Sequence, residues 1–343
     1  MTGTGNDDMA RAIGAADLFA AFDEPLLLVR DRRVVIANQA ARSLLGSHIE
    51  GSDVRLAIRH PAAAPWLAGE DETADGSVRI ELMGLGEVGR PWEMIIAPLS
   101  DGSRLVRLVD QSLQRAAEQI RVDFVANASH ELRTPLATLL GFLETLQDEE
   151  AVDAATRQRF VSIMFGEATR MRSLLDDLMS LSRIEAERFA APRDTVELIP
   201  LLDDVKMSVR PLAKGRTIRI ENEAGDALVS GDEIQLSQML NNLVVNALRY
   251  GRPGTPVRVR LEEAAPDLVK ISVIDKGEGI AAAHIPRLTE RFYRVDPGRS
   301  RSVGGTGLGL AIVKHIVLRH RGRLDIQSKL GVGTTVSVSL PRA

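Results

Sequence analysis

The sequence predicts a multidomain α+β protein in which a small α+β domain, a helical hairpin and an α/β sandwich follow one another. Three observations lead to this prediction. Short β-like runs alternate with turns up to about residue 110, glycine is scarce and apolar residues take helical spacing from about 112 to 188, and strands alternate with helices from about 194 onward. We therefore expect domains at residues 1–111, 112–190 and 191–343.

Composition and charge narrow the possible functions. The 343 residues are 44% hydrophobic and 26% charged, which suffices for two or three domains with their own cores. A formal net charge of −4 provides no basic field and argues against a nucleic-acid partner. The chain has no cysteine, which excludes disulfides, thiolate zinc sites and cysteine nucleophiles and fits a reducing compartment.

The sequence shows no pattern typical of secretion or membrane insertion. Its first residues lack the basic and then apolar layout of a signal peptide, and no run of about 18 apolar residues occurs. We expect a cytoplasmic protein with no direct membrane insertion of this chain.

The amino-terminal domain is predicted from short apolar runs and turn residues. Leu26 to Val29 and Val34 to Ala37 have the composition of adjacent strands, and the stretch ADGS at 74–77 is typical of a turn. A small α+β domain follows from this pattern.

Two long helices joined by the acidic stretch QDEEAVD are predicted for the hairpin. Asp153 is a candidate N-cap of the second helix, which ends before or at Pro192. One hairpin cannot cover its own apolar stripes, so we expect two copies to form a four-helix bundle as a homodimer. The stripe residues are Leu136, Leu139, Leu140, Leu143 and Leu146 in the first helix and Met164, Met171, Leu174, Leu178 and Leu181 in the second.

The carboxyl-terminal domain is predicted to be a mixed sheet with helices on one face. Its predicted strands are Thr217 to Glu221, Val257 to Glu262, Val269 to Asp275, Arg323 to Gln327 and Thr335 to Leu340. Its predicted helices are Ile199 to Ala213, Asp232 to Tyr250 and Leu308 to Arg321.

A histidine, an acid and a Thr-Pro pair lie together in the first hairpin helix. A lone helical histidine is usually solvated or structural, but here Pro135 should bend the helix beside His130. A neutral imidazole can attack the terminal phosphorus of ATP if a carboxylate fixes its tautomer, and Glu131 is the candidate carboxylate. Thr134 lies one turn after His130 and could orient a water for the reverse hydrolysis.

Polar residues recur along the predicted helix that ends at Tyr250. An amide oxygen is a suitable ligand for Mg²⁺, and Asn246 is our candidate. Arg249 would contact phosphate oxygens, Tyr250 would pack beside a nucleotide, and Asn242 lies one turn before Asn246. Ordinary exposed polarity of a helix is the alternative explanation.

Two glycine-containing segments complete the motifs. Asp275 follows a predicted strand and could accept a hydrogen bond from the amine of adenine, while the glycines of Asp275 to Ile280 let backbone approach the base; a tight turn would look the same. The segment Gly304 to Leu310 opens a helix and could cradle phosphates. A dinucleotide-binding fingerprint is the competing interpretation, but a charged stretch precedes these glycines where a strand would be required.

These motifs occur in the order and spacing of the bacterial sensor histidine kinases of two-component systems, of the phosphate-sensor-like kind. The resemblance covers about residues 115–341, including RFYR at 291–294 and LGVGTTVSVSLP at 330–341. It implies that the hairpin is the dimerisation and phosphoacceptor domain and that the last domain is the ATP-binding domain shared with gyrase and Hsp90. Residues 18–46, with Pro25 and Asn38, resemble the start of a PAS sensory domain.

The resemblance also implies roles for individual residues. His130 would be the phosphoacceptor, Glu131 its acid/base partner, Thr134 a phosphatase residue and Asn246 a magnesium ligand. Residues from about 280 to 304 would form a mobile lid, and Lys276 stands where the family often has asparagine. The nucleotide site would comprise Asn242, Asn246, Arg249, Tyr250, Asp275, Gly277, Gly279, Arg294, Gly305, Gly307, Leu308 and Gly309.

The resemblance predicts a kinase that uses ATP and Mg²⁺, phosphorylates its own histidine and transfers the phosphoryl group to an aspartate of a cognate response regulator. A phosphatase activity toward that regulator is also expected. Two other functions compete with this one. A catalytically dead scaffold would only dock a regulator, and a gyrase-like or Hsp90-like ATPase would have no use for the His130 segment.

Overall fold

The computed structural model describes residues 15–68, 76–147, 153–187, 190–296 and 305–343. The chain divides into two compact units, Met1–Val125 and Ala126–Ala343. Most of the predicted hairpin turn (148–152), residues 74–75 of the predicted ADGS turn and positions 297–304 of the predicted lid lie outside the described residues.

A five-stranded antiparallel sheet lies in the amino-terminal unit. The strands are β1 Leu26–Arg30, β2 Arg33–Ala37, β3 Val78–Met83, β4 Pro91–Pro98 and β5 Arg104–Asp110. Their order in the sheet is β2-β1-β5-β4-β3. Short helices accompany the sheet: α1 Ala15–Ala20, α2 Gln39–Leu45, α3 Val54–Ala57 and α4 Ala64–Ala68. This architecture is compatible with the PAS-like domain expected from the sequence.

Alternation along the strands builds the core of this unit. In β4, Trp92, Met94 and Ile96 are buried while the residues between them are partly exposed, because successive side chains point to opposite faces. Buried Ile58 and Leu67 complete the same apolar cluster.

Two long antiparallel helices follow, α5 Ser112–Gln147 and α6 Ala154–Ala186. The predicted N-cap is confirmed, since the Asp153 carboxylate accepts a hydrogen bond of 2.7 Å from the Thr156 amide. The rings of Phe142 and Phe160 connect the helices with centroids 4.7 Å apart. Helix α5 continues through Pro135, which has no N–H to donate to the carbonyl four residues earlier.

The carboxyl-terminal part contains a five-stranded mixed sheet. Its strands are β7 Ile218–Asn222, β9 Val257–Ala265, β10 Leu268–Ile274, β11 Arg323–Lys329 and β12 Gly333–Pro341. Their order is β11-β12-β10-β9-β7, and β7 and β9 are parallel. A two-stranded sheet pairs β6 Asp194–Glu197 with β8 Leu228–Gly231. The helices are α7 Leu198–Ser208, α8 Arg210–Ala213, α9 Glu233–Tyr250 and α10 Gly309–Arg319.

The helices cover one face of the mixed sheet, as predicted. Helix α9 contacts α10, α7 and strands β9 and β10. Val259, Ile271 and Val338 are fully buried on that face, whereas Arg258 and Lys270, which precede Val259 and Ile271, stay partly exposed. The layer between helices and sheet is therefore the core that fixes the position of α9.

One predicted helix is wrong in its extent. Residues 199–213 do not form one helix, because α7 ends at Ser208 and α8 begins at Arg210, followed by Pro211. A proline ring clashes with the carbonyl four residues earlier, so a continuous helix through this position is unfavourable.

Candidate active site

A cavity of about 660 Å³ lies between α9, the strand ends and the glycine-rich segment. Most residues predicted for a nucleotide site line it, although they come from four separate segments of sequence. Helix α6 also contributes Ser173 and Asp177 to its wall. The predicted residues on the wall are Asn242, Asn246, Arg249, Tyr250, Asp275, Gly279, Arg294, Gly305, Gly307 and Gly309.

Helix α9 presents its polar face to the cavity because its other face is buried in the core. Asp232 caps the helix by accepting a 3.1 Å hydrogen bond from the Gln235 amide. Leu243 and Ala247 are buried, while Asn242 and Asn246 lie one turn apart and are half-buried. An amide pair with this placement can offer oxygen atoms to a ligand in the cavity.

The Asp275 turn follows the end of β10. One Asp275 carboxylate oxygen accepts hydrogen bonds from the amides of Gly277 at 2.7 Å and Thr334 at 3.4 Å. Burial raises the pKa of this carboxyl group, while these amides and the charge of Arg216 oppose the rise. The second carboxylate oxygen can accept a hydrogen bond from an amine in the cavity.

Two positions of this turn can only be glycine. A Cβ at Gly277 would lie 2.4 Å from the Tyr250 carbonyl oxygen. Gly279 has a φ of +73°, and a Cβ there would lie 2.0 Å from the carbonyl oxygen of Lys329. The glycines thus permit the close backbone packing that forms one end of the cavity.

The glycine-rich segment ends at the start of α10. Gly307 has a φ of +75°, and a Cβ there would lie 2.9 Å from the backbone of Phe292. Leu308 is fully buried and anchors the segment, while α10 begins at Gly309 with no side-chain cap. Uncapped N–H groups at a helix start attract anions such as phosphate.

The phosphoacceptor candidate lies on α5, outside the residues that line the cavity. His130 and Thr134 are exposed, and the Thr134 hydroxyl donates to the His130 carbonyl at 3.3 Å. Glu131 is partly buried and accepts hydrogen bonds from Arg294 at 2.9 Å and Arg170 at 3.2 Å. The side chain of Arg294 is only 7% exposed, so this ion pair is largely removed from water.

The structure adds contacts that the motifs did not predict. The Thr306 hydroxyl donates to the Asp177 carboxylate of α6 at 2.7 Å, and burial raises the pKa of Asp177. His284 lines the cavity beside Tyr293, with 2.6 Å between its ring Nδ1 and the tyrosine hydroxyl. The predicted lid at about 280–304 and its RFYR motif indicated this part of the site, but neither predicted the contact between the two side chains.

Taken together, a nucleotide-sized cavity on a sandwich domain and a histidine on an adjoining helical hairpin define a protein of the histidine kinase class. Two known protein families match the sandwich domain and the helical hairpin, respectively. Residues 231–343 match the family described as histidine kinase-, DNA gyrase B-, and HSP90-like ATPase, and residues 120–187 match the His Kinase A (phospho-acceptor) domain.

Similar proteins point to the same class. The phosphate regulon sensor protein PhoR of Pseudomonas aeruginosa is 37% identical over 320 residues, which cover 91% of this chain and 70% of PhoR. The sensor protein SrrB of Staphylococcus aureus is 34% identical over 240 residues, which cover 69% of this chain and 41% of SrrB. The chain belongs to the sensor histidine kinases of two-component systems.

Solved structures show the shared fold. The histidine kinase ThkA, solved in complex with the response regulator protein TrrA, is 18% identical with a TM-score of 0.53, covering 96% of this chain and 98% of that chain. The histidine kinase AdeS of Acinetobacter baumannii is 21% identical with a TM-score of 0.50, covering 62% of this chain and 97% of that chain. Among the residues described for this protein, no helix is both long and apolar enough to span a membrane.

Proposed function

We propose that this protein transfers the γ-phosphoryl group of ATP to its own His130 and then to an aspartate of a response regulator. The observation that carries the proposal is the convergence of Asn242, Asn246, Asp275 and the glycine-rich segment on one cavity. That cavity belongs to the same compact unit as His130.

Each part of the cavity suits one part of ATP. The free oxygen of Asp275 would accept a hydrogen bond from the adenine amine, and the uncapped start of α10 would bind phosphate oxygens. Arg249 and Arg294 supply the positive charge that stabilises a transferring phosphoryl group.

Magnesium is part of this proposal. The half-buried amide of Asn246 would provide one oxygen ligand, and the remaining ligands would be phosphates and water. Among the described residues there is no group of three His, Cys, Asp or Glu side chains that could hold a metal, which fits an ion held chiefly by nucleotide. Bound Mg²⁺ would neutralise charge on the phosphates.

The proposed chemistry forms a bond between an imidazole nitrogen of His130 and the γ-phosphorus while the bond to the bridging oxygen of ADP breaks. Glu131 takes the proton from the other ring nitrogen. Because Glu131 is bound to Arg170 and Arg294 in this structure, the transfer requires that these contacts open. Exposed Thr134 is the proposed residue for the reverse, phosphatase reaction.

The partners follow from the same proposal. The relative ThkA was solved with a response regulator, and we infer the same class of partner here. A second copy of this chain is the proposed dimer partner, because Leu136, Leu140 and Leu143 of α5 are each about half exposed (47%, 51% and 50%). The division at residues 1–111, 112–190 and 191–343 and the cytoplasmic location stay predictions.

Incubation with γ-³²P-labelled ATP tests the proposal. We expect protein-bound label that is stable to base and labile to acid, absent in His130→Gln and retained in the control His48→Gln, which changes an exposed histidine of the amino-terminal unit. Loss of label in Asn246→Ala would support the magnesium assignment. ATP hydrolysis without any label would favour the gyrase-like ATPase, and neither binding nor label would favour the scaffold.

A further inference from the structure

A half-buried arginine lies behind the proposed adenine site. Arg216 precedes β7 in the sequence and takes no part in the motifs, yet its guanidinium group reaches the end of α9. One of its nitrogens, Nη2, is inaccessible to solvent and has no hydrogen-bond partner. A buried guanidinium nitrogen without a hydrogen-bond partner is costly and requires an explanation.

The other guanidinium nitrogens bind backbone carbonyls at the end of α9. Nη1 donates to the carbonyls of Leu248 at 2.6 Å and Gly251 at 3.3 Å, and Nε donates to that of Thr255 at 2.9 Å. The carbonyl end of a helix carries partial negative charge, which a cation stabilises. Arg216 therefore fixes both the last turn of α9 and the loop that follows it.

That loop is paired directly with the Asp275 turn. Gly251 and Gly277 form an isolated antiparallel bridge, and the Arg252 amide donates to the Lys276 carbonyl at 3.1 Å. A Cβ at Gly251 would lie 2.4 Å from Nη2 of Arg216, which shows how closely the guanidinium packs against this pairing. Because Gly277 is only two residues after Asp275, a displacement of Arg216 would also displace the Asp275 backbone.

Arg216 also acts on Asp275 through charge. Its positive charge opposes the effect of burial on the Asp275 pKa and helps to keep the group a carboxylate. Both oxygens of the ionised group are acceptors without a proton to donate, whereas the protonated group would carry an O–H donor on one of them. The charge of Arg216 and its contacts therefore both favour a carboxylate that accepts from an amine.

We propose that Arg216 is a positioning residue for adenine recognition, holding the Asp275 carboxylate where it accepts the hydrogen bond of the 6-amino group. The proposal rests on the proposed function, since it assumes that Asp275 binds adenine. It predicts that Arg216 affects the choice of base more than the binding of phosphates.

Equilibrium binding of ATP and ITP to the intact chain separates these effects. ITP has a 6-oxo group in place of the amine, which faces a carboxylate unfavourably, so the parent protein should prefer ATP. Arg216→Met should weaken ATP binding by about tenfold and ITP binding far less, because a charge-assisted hydrogen bond is lost only for ATP. Arg216→Lys retains the charge and should lower the preference for ATP over ITP by a smaller factor than Arg216→Met does.

Arg219→Met is the matched control, because Arg219 is an exposed arginine on β7. It should keep the parental ratio of ATP to ITP affinity. Equal weakening of both nucleotides by Arg216→Met, or a parental ratio in Arg216→Lys, would overturn the proposal. If Arg216→Met does not fold, as judged by circular dichroism, the lysine variant decides. A parent protein that does not prefer ATP would instead refute the adenine site itself.

Discussion

Single residues in this protein combine packing with defined protonation states, and buried His320 is the best example. It is 3% exposed, with its Nδ1 2.8 Å from the Ile316 carbonyl, and its Nε2 accepts from the Asp232 amide at 3.0 Å. These contacts require a neutral ring with the proton on Nδ1. The histidine thereby joins the end of α10 to the start of α9, the helix that carries the amide pair of the site.

The protonation state of His320 predicts a pH dependence of stability. Burial lowers the pKa of His320 below its usual value. Below about pH 6.5 this histidine is therefore protonated in the unfolded chain but still neutral in the folded chain. The free energy of unfolding should therefore decrease as the pH falls through this range. Thermal unfolding at pH 7.5 and 5.5 measures this decrease in the parent protein and two variants. The decrease should be smaller in His320→Gln than in the parent protein, and His48→Gln should show the same decrease as the parent. An equal decrease in all three proteins would contradict the assignment.

Asn38 has a comparable structural role in the amino-terminal unit. It is 2% exposed; its amide oxygen accepts from the Leu26 and Ala41 amides at 3.0 and 2.9 Å, and its nitrogen donates to the carbonyls of Phe22 and Glu24. Asn38 thus caps α2 and joins it to β1. The PAS-like signature around Asn38 therefore marks a structural residue.

We expect Asn38→Ala to destabilise the amino-terminal unit by about 2–4 kcal/mol, because two buried amides lose their acceptor. Trp66 and Trp92, the only two tryptophans of the chain, both lie in this unit, so their fluorescence in urea reports its unfolding. Gln39→Ala, at the exposed neighbouring position, should leave the midpoint unchanged. A parental midpoint in Asn38→Ala would contradict the role of the cap.

At the scale of secondary structure, long periodic elements were predictable and elements that depend on distant pairing were not. The hairpin helices, the Asp153 cap and helix α9 follow from local sequence. Strands β6 and β8 were missed, because each has four residues and their pairing joins positions more than 30 residues apart, such as Asp194 and Gly231. The cavity motifs were predictable for the same reason as α9, since each is a local turn or helix end whose glycines and carboxylate determine its conformation.

The apolar stripe of α5 predicts self-association. Leu140 is 51% exposed in the single chain, and a second hairpin would bury it together with its neighbours. Leu140→Glu would place a charge in that interface and should raise the dissociation constant of the dimer by at least about tenfold. Sedimentation equilibrium measures this shift. Thr145 is exposed on the opposite side of α5, so the Thr145→Glu variant should remain dimeric. A monomeric parent protein would show that the stripe is not a dimer interface.

At the scale of the whole carboxyl-terminal unit, carboxylates of the hairpin contact groups that the proposed function assigns to nucleotide phosphates. Glu131 binds Arg294, and Asp177 accepts from Thr306 in the glycine-rich segment. These partners lie 163 and 129 residues apart in sequence, so no local pattern could have predicted them. If ATP binds as proposed, its phosphates would lie close to these carboxylates. We therefore expect the hairpin in this arrangement to compete with nucleotide.

This competition can be measured at Asp177, which lines the cavity but has no role in the proposed chemistry. Asp177→Asn removes one negative charge and keeps the shape of the side chain, so ATP should bind about three- to tenfold more tightly, and the gain should shrink in high salt. Asp176→Asn makes the same charge change at an exposed position one residue earlier and should have little effect. Calorimetric titration of ATP into the three proteins distinguishes the outcomes. If Asp177→Asn binds ATP more weakly than the parent, the carboxylate assists nucleotide binding and the competition is refuted.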